Sequence, residues 1–254
     1  MMAENRIKLL SALLTAAIFL TAWQGLVWVF DLPAFILPSP TQVGARFLRA
    51  FSDGSLTRHT GITLIEILSG LGIGVTLAVV LGYFLAKSRF LETVLQPFLV
   101  ASQAVPIVAI APLLIIWFGP GIFSKILICA LIVFFPVLVN TGVGLREVPN
   151  NLRDLMRSLD ATTWQTLRML ELPAALPVLL GGLRVGAALS VIGAVVGELV
   201  GADRGLGFLI NVGRGQYDTA LVFVGIFTLI ALALVLYGLV LLLERNLLKW
   251  KNGK

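Results

Sequence analysis

Six long apolar stretches divide this chain, and they constrain its fold more than any other feature of the sequence. A helix needs about 20 apolar residues to cross the hydrocarbon core of a bilayer. Stretches long enough lie at roughly 9–30, 62–86, 94–118, 122–145, 176–200 and 220–243. We therefore predict an all-α integral membrane protein with six transmembrane helices, forming a single domain over residues 1–254.

The composition agrees with a membrane protein and excludes an ordinary water-soluble domain. Of the 254 residues, 58% are hydrophobic and only 13% are charged, and the mean hydropathy is +0.99. Arg6 and Lys8 precede the first stretch, as they would in a signal peptide. The stretch is long for a signal peptide and lacks a small-residue cleavage site, so we expect a retained helix.

The distribution of cations predicts the orientation of the chain. Placing both termini on one side puts twelve of the 19 Lys and Arg residues there and six on the opposite side, with Arg184 inside a helix. The side richer in Lys and Arg is cytoplasmic by the positive-inside rule. We predict a multi-pass protein of the cytoplasmic membrane with both termini in the cytoplasm.

One charged segment, residues 151–177, separates the fourth and fifth apolar stretches. Its ionisable side chains are Arg153, Asp154, Arg157, Asp160, Arg168 and Glu171. Ionisable side chains are costly inside the hydrocarbon layer, so this segment must stand in water beside the membrane. The orientation places it in the cytoplasm.

The pattern within this segment predicts two short helices joined by a turn. Asn151 can cap the first helix, whose apolar side chains fall on one face: Leu152, Leu155, Met156 and Leu159. Asp160 occupies the turn, because Asp tolerates the left-handed backbone region better than most residues. Thr162 and Gln165 form a capping box for the second helix, which we expect to end before Pro173.

The second helix of this pair directs Trp164, Leu167 and Leu170 to one side. A helix pair with an apolar stripe outside the bilayer can dock onto another protein. It can also rest on lipid headgroups as an interfacial hairpin, which its mixed charges and Trp164 would permit. The residues alone leave both interpretations open.

Two stripes of small residues run down predicted membrane helices at intervals of three or four residues. One comprises Glu66, Gly70, Gly74, Ala78 and Gly82, and the other comprises Gly182, Gly186, Ser190, Gly193, Gly197 and then Glu198. Small residues let helices approach closely. The stripes either pack inside one subunit, or one of them faces a partner subunit or lines a solute pathway.

The third apolar stretch contains Ser102, Gln103, Pro106 and Pro112, which predict an interrupted helix. Such a break persists in a membrane where protein or a water-filled cavity satisfies the loose backbone groups. Gln103, Pro106 and Pro112 are therefore candidates for lining a pathway, and a purely structural kink is the alternative.

The ionisable residues within the predicted spans include Glu66, Arg184 and Glu198, which makes these three functional candidates. None lies near the midplane, which speaks against a secondary carrier. Cys129 is the only cysteine and His59 the only histidine. They offer no disulfide, no Cys-based metal site and no nucleophile–base pair. We therefore expect that the chain is not an enzyme and that it has no metal site and no catalytic residue.

The charged segment resembles a cytoplasmic motif in the membrane subunits of binding-protein-dependent ATP-binding-cassette importers. That motif is Glu-Ala-Ala, three residues, Gly, nine residues and Ile-x-Leu-Pro. The same spacing here gives Asp154-Leu155-Met156, Asp160 and Leu170-Glu171-Leu172-Pro173. The resemblance covers roughly residues 37–250 and includes LPSPTQV, PIVAIAPLLIIWFGPG, FFPVLVNTGVGLR and ELPAALPVLLGGLR.

The resemblance implies a type I importer permease fold with a core at about 60–245 and an ATPase-coupling segment at 151–173. The implied coupling residues are Asp154, Leu155, Met156, Leu159, Asp160, Trp164, Leu170, Leu172 and Pro173. The implied partners are a pair of cytoplasmic ATPase subunits, an extracytoplasmic solute-binding protein and a second permease subunit, expected to be another copy of this chain.

The sequence lacks GxxxxGK[ST], the phosphate-binding P-loop, so ATP is expected on a partner subunit and no cofactor on this chain. The segments RDLMRSLDAT and GADRGLGFLINVGRGQYDTALVF look most like permeases for riboflavin or the pyrimidine precursor of thiamine. We therefore expect import of riboflavin or a related heterocyclic vitamin precursor, with sulfonate, taurine or nitrate as alternatives. A secondary carrier is the alternative of another class.

Overall fold

The computed structural model describes residues 2–104 and 106–249, with the side chains of 2–9, 12, 13, 100, 103 and 104 outside the described set. Within these ranges the chain is helical, with turns between helices and no strand. The helices are α1 (Met2–Val29), α2 (Pro40–Ser52), α3 (Ser55–Lys87), α4 (Arg89–Ala104), α5 (Ile107–Phe118), α6 (Ile122–Arg146), α7 (Asn150–Ser158), α8 (Thr163–Thr166), α9 (Leu172–Gly201), α10 (Leu206–Gly215) and α11 (Thr219–Leu247).

Four helical runs are long and apolar enough to cross a membrane: Ser55–Lys87, Ile122–Arg146, Thr163–Gly201 and Thr219–Leu247. The other two predicted spans correspond to α1, with a shorter apolar part at Leu14–Val29, and to the pair α4 and α5. The predicted break in the third span is confirmed, because α4 ends at Ala104 and α5 begins after Pro106.

The two small-residue stripes both pack against α6, inside one chain. A Cβ placed on Gly74 of α3 would lie 2.7 Å from the carbonyl oxygen of Ala130. A Cβ on Gly193 of α9 would lie 2.9 Å from the Cα of Cys129. At this separation the backbones of α3, α6 and α9 are nearly in contact, so these glycines serve packing within the subunit.

Helix α3 begins earlier than the apolar pattern suggests. His59 lies in its first two turns, because Gly54 takes a left-handed conformation (φ 75°) and starts the helix at Ser55. The His59 Nδ1 accepts a hydrogen bond from the Gly205 N–H at 2.9 Å, and its ring lies 5.6 Å from that of Phe208. His59 therefore links the start of α3 to the start of α10.

Candidate functional site

The segment between α6 and α9 forms a hairpin, hereafter the charged hairpin (residues 150–171). Asp160 lies in the turn with φ 50°, and Thr162 and Gln165 form a capping box in which the Gln165 Oε1 accepts the Thr162 N–H at 2.8 Å. Both local predictions are confirmed. The prediction that Asn151 caps the first helix is wrong, because Pro149 takes the N-cap position and no side chain caps α7.

The second helix of the hairpin does not end before Pro173, contrary to the prediction. It passes through a π-helical turn, Leu167–Glu171, directly into α9, so the run Thr163–Gly201 is a continuous 39 residues. The Leu172 N–H bonds the carbonyl of Leu167, five residues back. This wider turn accommodates the proline that would disrupt a regular α-helix.

An apolar surface of the charged hairpin is open in this chain. Leu155 is 53% exposed, Leu159 67% and Trp164 66%. No residue of α7 or α8 is buried, so the apolar stripe has no partner that covers it in the described part of the chain.

The remaining predicted coupling residues lie around this surface. Asp154 and Asp160 are exposed, and Asp154 pairs with Arg157 at 3.1 Å along the same helix. Leu172 is exposed, while the partly buried members are Met156, Leu170 and Pro173.

The single buried side chain of the charged hairpin is Glu171, which the sequence analysis did not identify as a site residue. Glu171 is 1% exposed, and its Oε1 accepts a hydrogen bond from the Lys87 Nζ at 2.6 Å. The Arg153 Nε lies 3.8 Å from the same oxygen. The Arg153 Nη2 also donates to the carbonyl of Leu145 at 2.6 Å. The available sequence signal was an acidic residue between two apolar ones, Leu170 and Leu172.

At the other end of the Thr163–Gly201 run, Glu66 and Glu198 are brought together. Both carboxyl groups are buried and interact directly. The Glu198 Oε1 accepts from the Thr63 hydroxyl at 2.6 Å, and its Oε2 accepts from the Gly207 N–H at 2.5 Å. The Thr63 Oγ1 in turn accepts the Leu206 N–H at 2.9 Å. Glu198 thus fixes the start of α10 to α3 and α9.

A cavity of about 800 Å³ adjoins this cluster. Its polar lining includes Glu66, Lys125, Asp203 and Arg204. The Lys125 ammonium is 1% exposed and donates to the carbonyl of Pro120 at 2.6 Å. The Arg204 guanidinium holds the pKa of the Asp203 carboxyl below its usual range by donating hydrogen bonds to it, so this exposed pair stays charged at neutral pH.

The other path candidates lie apart from this cavity. Pro106 and Pro112 are exposed on or beside α5 in the isolated chain, and neither lines the cavity. Ser190 is fully buried, with its carbonyl facing the Cys129 Sγ at 3.5 Å. Gln103 lies outside the described side chains. Arg184 pairs with Glu244 of α11 and lies over the Tyr237 ring.

A family model described as the binding-protein-dependent transport system inner membrane component matches residues 74–249. The riboflavin transport system permease protein RibX of Chloroflexus aurantiacus is 50% identical over 93% of this chain and 88% of that protein. The formylaminopyrimidine transport permease ThiX of Halalkalibacterium halodurans is 36% identical, covering 86% and 87%. The putative aliphatic sulfonates permease SsuC of Bacillus subtilis is 35% identical, covering 98% and 91%.

Solved structures with similar folds are also membrane transporters. An inward-facing MetNI methionine ABC transporter aligns with a TM-score of 0.66 and 21% identity, covering 76% of this chain and 95% of that one. An amino acid ABC transporter with histidines aligns with a TM-score of 0.61 and 16% identity, covering 78% and 96%. These likenesses establish the type I importer permease fold.

Proposed function

Because this chain belongs to the family of binding-protein-dependent transport system inner membrane components, we propose that it forms the translocation path for riboflavin or a related heterocyclic vitamin precursor. The chain is a membrane-embedded permease subunit of an ABC importer. Membership in this transport family implies that the subunit is not an enzyme. Importers of this family work with an ATPase and a solute-binding protein.

The observation that carries the substrate proposal is the 50% identity with the riboflavin permease over nearly the whole chain. Identity falls to 36% for the formylaminopyrimidine permease, 35% for the sulfonate permease and 32% for the taurine permease of Escherichia coli. This order supports riboflavin as the first candidate, with a sulfonate or taurine behind it. Family membership also argues against a secondary carrier.

The charged hairpin is proposed to dock into a groove of the ATPase. Its apolar surface (Leu155, Leu159 and Trp164) is exposed, and the described part of the chain does not cover it. A docked partner would remove these side chains from water. The exposed Asp154 and Asp160 flank this surface and would fix its orientation. ATP would be bound by that partner subunit, and this chain would carry no cofactor.

The translocation path is proposed to run between two copies of this chain, whose termini face the cytoplasm. The exposed side of α5 with Pro106 and Pro112 would face the path, together with Gln103 beside the helix break. Glu66 and Glu198 would border its extracytoplasmic end, next to the 800 Å³ cavity. Ser190 would not line the path itself, because it is buried; it would lie in the packed layer behind the lining residues.

ATP binding would favour one packing of the permease pair over another, since a ligand shifts a conformational equilibrium only through differential contacts. The hairpin is continuous with α9, so its displacement would be passed into the membrane body.

Reconstitution tests this function. The chain is assembled in proteoliposomes with its cognate ATPase and solute-binding protein, and uptake of radiolabelled riboflavin, taurine and nitrate is measured. We expect riboflavin uptake that needs ATP and the binding protein. Uptake of only taurine or nitrate would reject the substrate, and uptake that follows a proton or sodium gradient without ATP would reject the mechanism.

A further inference from the structure

The charged hairpin has almost no packing that fastens it to the membrane body. Every residue from 150 to 171 is described, and Glu171 is the only one of them that is buried. The apolar side chains of α7 and α8 are exposed or partly buried. A displacement of the hairpin therefore cannot be passed on by an apolar core beneath it.

Charged contacts take the place of that core and join four parts of the chain. Glu171 closes the π-helical turn before α9 and accepts a hydrogen bond from Lys87, the last residue of α3. Arg153 belongs to α7, faces the same carboxylate oxygen and donates to the carbonyl of Leu145 at the end of α6. These four residues are named the ionic node.

We propose that Glu171 is a positioning residue that transmits the movement of the charged hairpin to α3 and α6. The proposal rests on the proposed function, because it takes the hairpin as the ATPase-docking element. Glu171 does not touch ATP or the solute; it acts through Lys87 and Arg153.

The chemistry of the node suits this role. A buried carboxylate needs its cationic partners, because separating them would leave a charge that is 1% exposed without compensation. The node therefore resists separation of α3 from the hairpin. The second oxygen, Oε2, receives no hydrogen bond from the described residues, so the node depends on the contacts to Oε1.

The test uses the complete importer in proteoliposomes. The variants Glu171→Gln and Lys87→Met remove one charge each, and Lys87→Arg keeps the cation. Matched controls are Glu147→Gln and Arg89→Met, which remove exposed charges near the same membrane face that have no side-chain ion pair in the described part of the chain.

Three quantities are measured for each variant. These are the amount of ATPase that co-purifies, the rate of ATP hydrolysis and the riboflavin taken up per ATP. A substrate-independent quantity is the ATP-dependent change in thiol labelling of Trp117→Cys on α5, in a Cys129→Ser background.

We expect Glu171→Gln and Lys87→Met to keep the ATPase bound and hydrolysing, while uptake per ATP falls by about fivefold or more. The ATP-dependent change in labelling should shrink in the same two variants. Lys87→Arg should behave as the wild type, because its cation keeps the contact with Glu171. Both controls should also behave as the wild type, because neither changes a residue that contacts Glu171.

Unchanged uptake per ATP and unchanged labelling in Glu171→Gln would overturn the positioning role. Loss of ATPase binding in that variant would also overturn it, since Glu171 would then shape only the docking surface. A wild-type chain that recruits no ATPase would instead reject the docking function, and this proposal with it. A wild type that recruits ATPase and changes labelling with ATP but takes up no riboflavin rejects only the substrate.

Discussion

Glu171 and Glu198 lie at opposite ends of one continuous helical run and are buried to the same degree, but their surroundings differ. Glu198 accepts hydrogen bonds from neutral donors, the Thr63 hydroxyl and the Gly207 N–H, inside a closed corner between α3, α9 and α10. Glu171 is held by the cationic side chains of Lys87 and Arg153, which remain partly exposed. Within this chain the Glu198 end is completed by its own packing, whereas the Glu171 end supports a hairpin with an open apolar surface.

The difference indicates a division of labour along the run. The Glu198 corner resembles a protein interior, because both carboxylate oxygens of Glu198 accept hydrogen bonds from fixed neighbours. The Glu171 end has an apolar surface that the described part of the chain leaves uncovered. Substitutions at the first end should therefore act on stability, and substitutions on the open apolar surface at the second end should act on recruitment of a partner.

The largest effect is expected from a charge on the open surface. Leu155→Asp should leave a folded, inserted protein that no longer recruits the ATPase, because burying an unpaired carboxylate at the interface costs several kcal/mol. Co-purification and solute-stimulated ATP hydrolysis measure it, and Leu159→Asp should behave alike. Asn150→Asp puts the same charge on the opposite face of α7 as a control. Normal ATPase recruitment in Leu155→Asp would contradict the docking role of the open apolar surface.

The next largest effect is expected in the packed body. Gly74→Ala should cost about 3 kcal/mol of folding stability, because the new methyl group would meet the backbone of Ala130. Gly72→Ala on the same helix is the control, since a Cβ there meets nothing within 4 Å. Thermal unfolding in detergent compares the two. Equal unfolding temperatures would contradict the close packing of α3 on α6.

A smaller effect is expected at the Glu198 corner. Thr63→Val keeps the shape of the side chain but removes the donor to Glu198 and the acceptor for the Leu206 N–H, at a cost of about 2 kcal/mol. Thr76→Val is the control, because the exposed Thr76 hydroxyl bonds only the Gly72 carbonyl of its own helix. ATPase recruitment should survive in both. Weaker ATPase recruitment in Thr63→Val would contradict the prediction that the Glu198 end acts on stability alone.

The smallest effect is expected on the exposed side of α5. Enlarging Ala109 to Leu should alter the riboflavin uptake rate by roughly fivefold, or about 1 kcal/mol of activation free energy, without loss of stability or of ATPase binding. Uptake kinetics in vesicles measure it, beside the unfolding temperature of the same variant. Unchanged kinetics would count against a path-lining α5.

The local structure of the charged hairpin was largely predictable from sequence because short-range chemistry controls it. The Thr162–Gln165 capping box and the left-handed Asp160 involve residues at most three apart. The end predicted before Pro173 was wrong, because a π-helical turn accommodates the proline. That turn depends on how α9 continues into the membrane body, which a local pattern does not specify.

Hydrophobic length and the spacing of polar residues were enough to determine the membrane class, the break before Pro106 and the charged hairpin, because these follow from what a helix or a bilayer tolerates residue by residue. Only the tertiary structure decided that both small-residue stripes pack against α6 and that Glu66 contacts Glu198. It also decided that Lys87 and Arg153 both lie against Glu171. The Lys87–Glu171 contact joins residues 84 positions apart. Such pairs are fixed by the packing of whole helices, which sets distances that no single helix encodes.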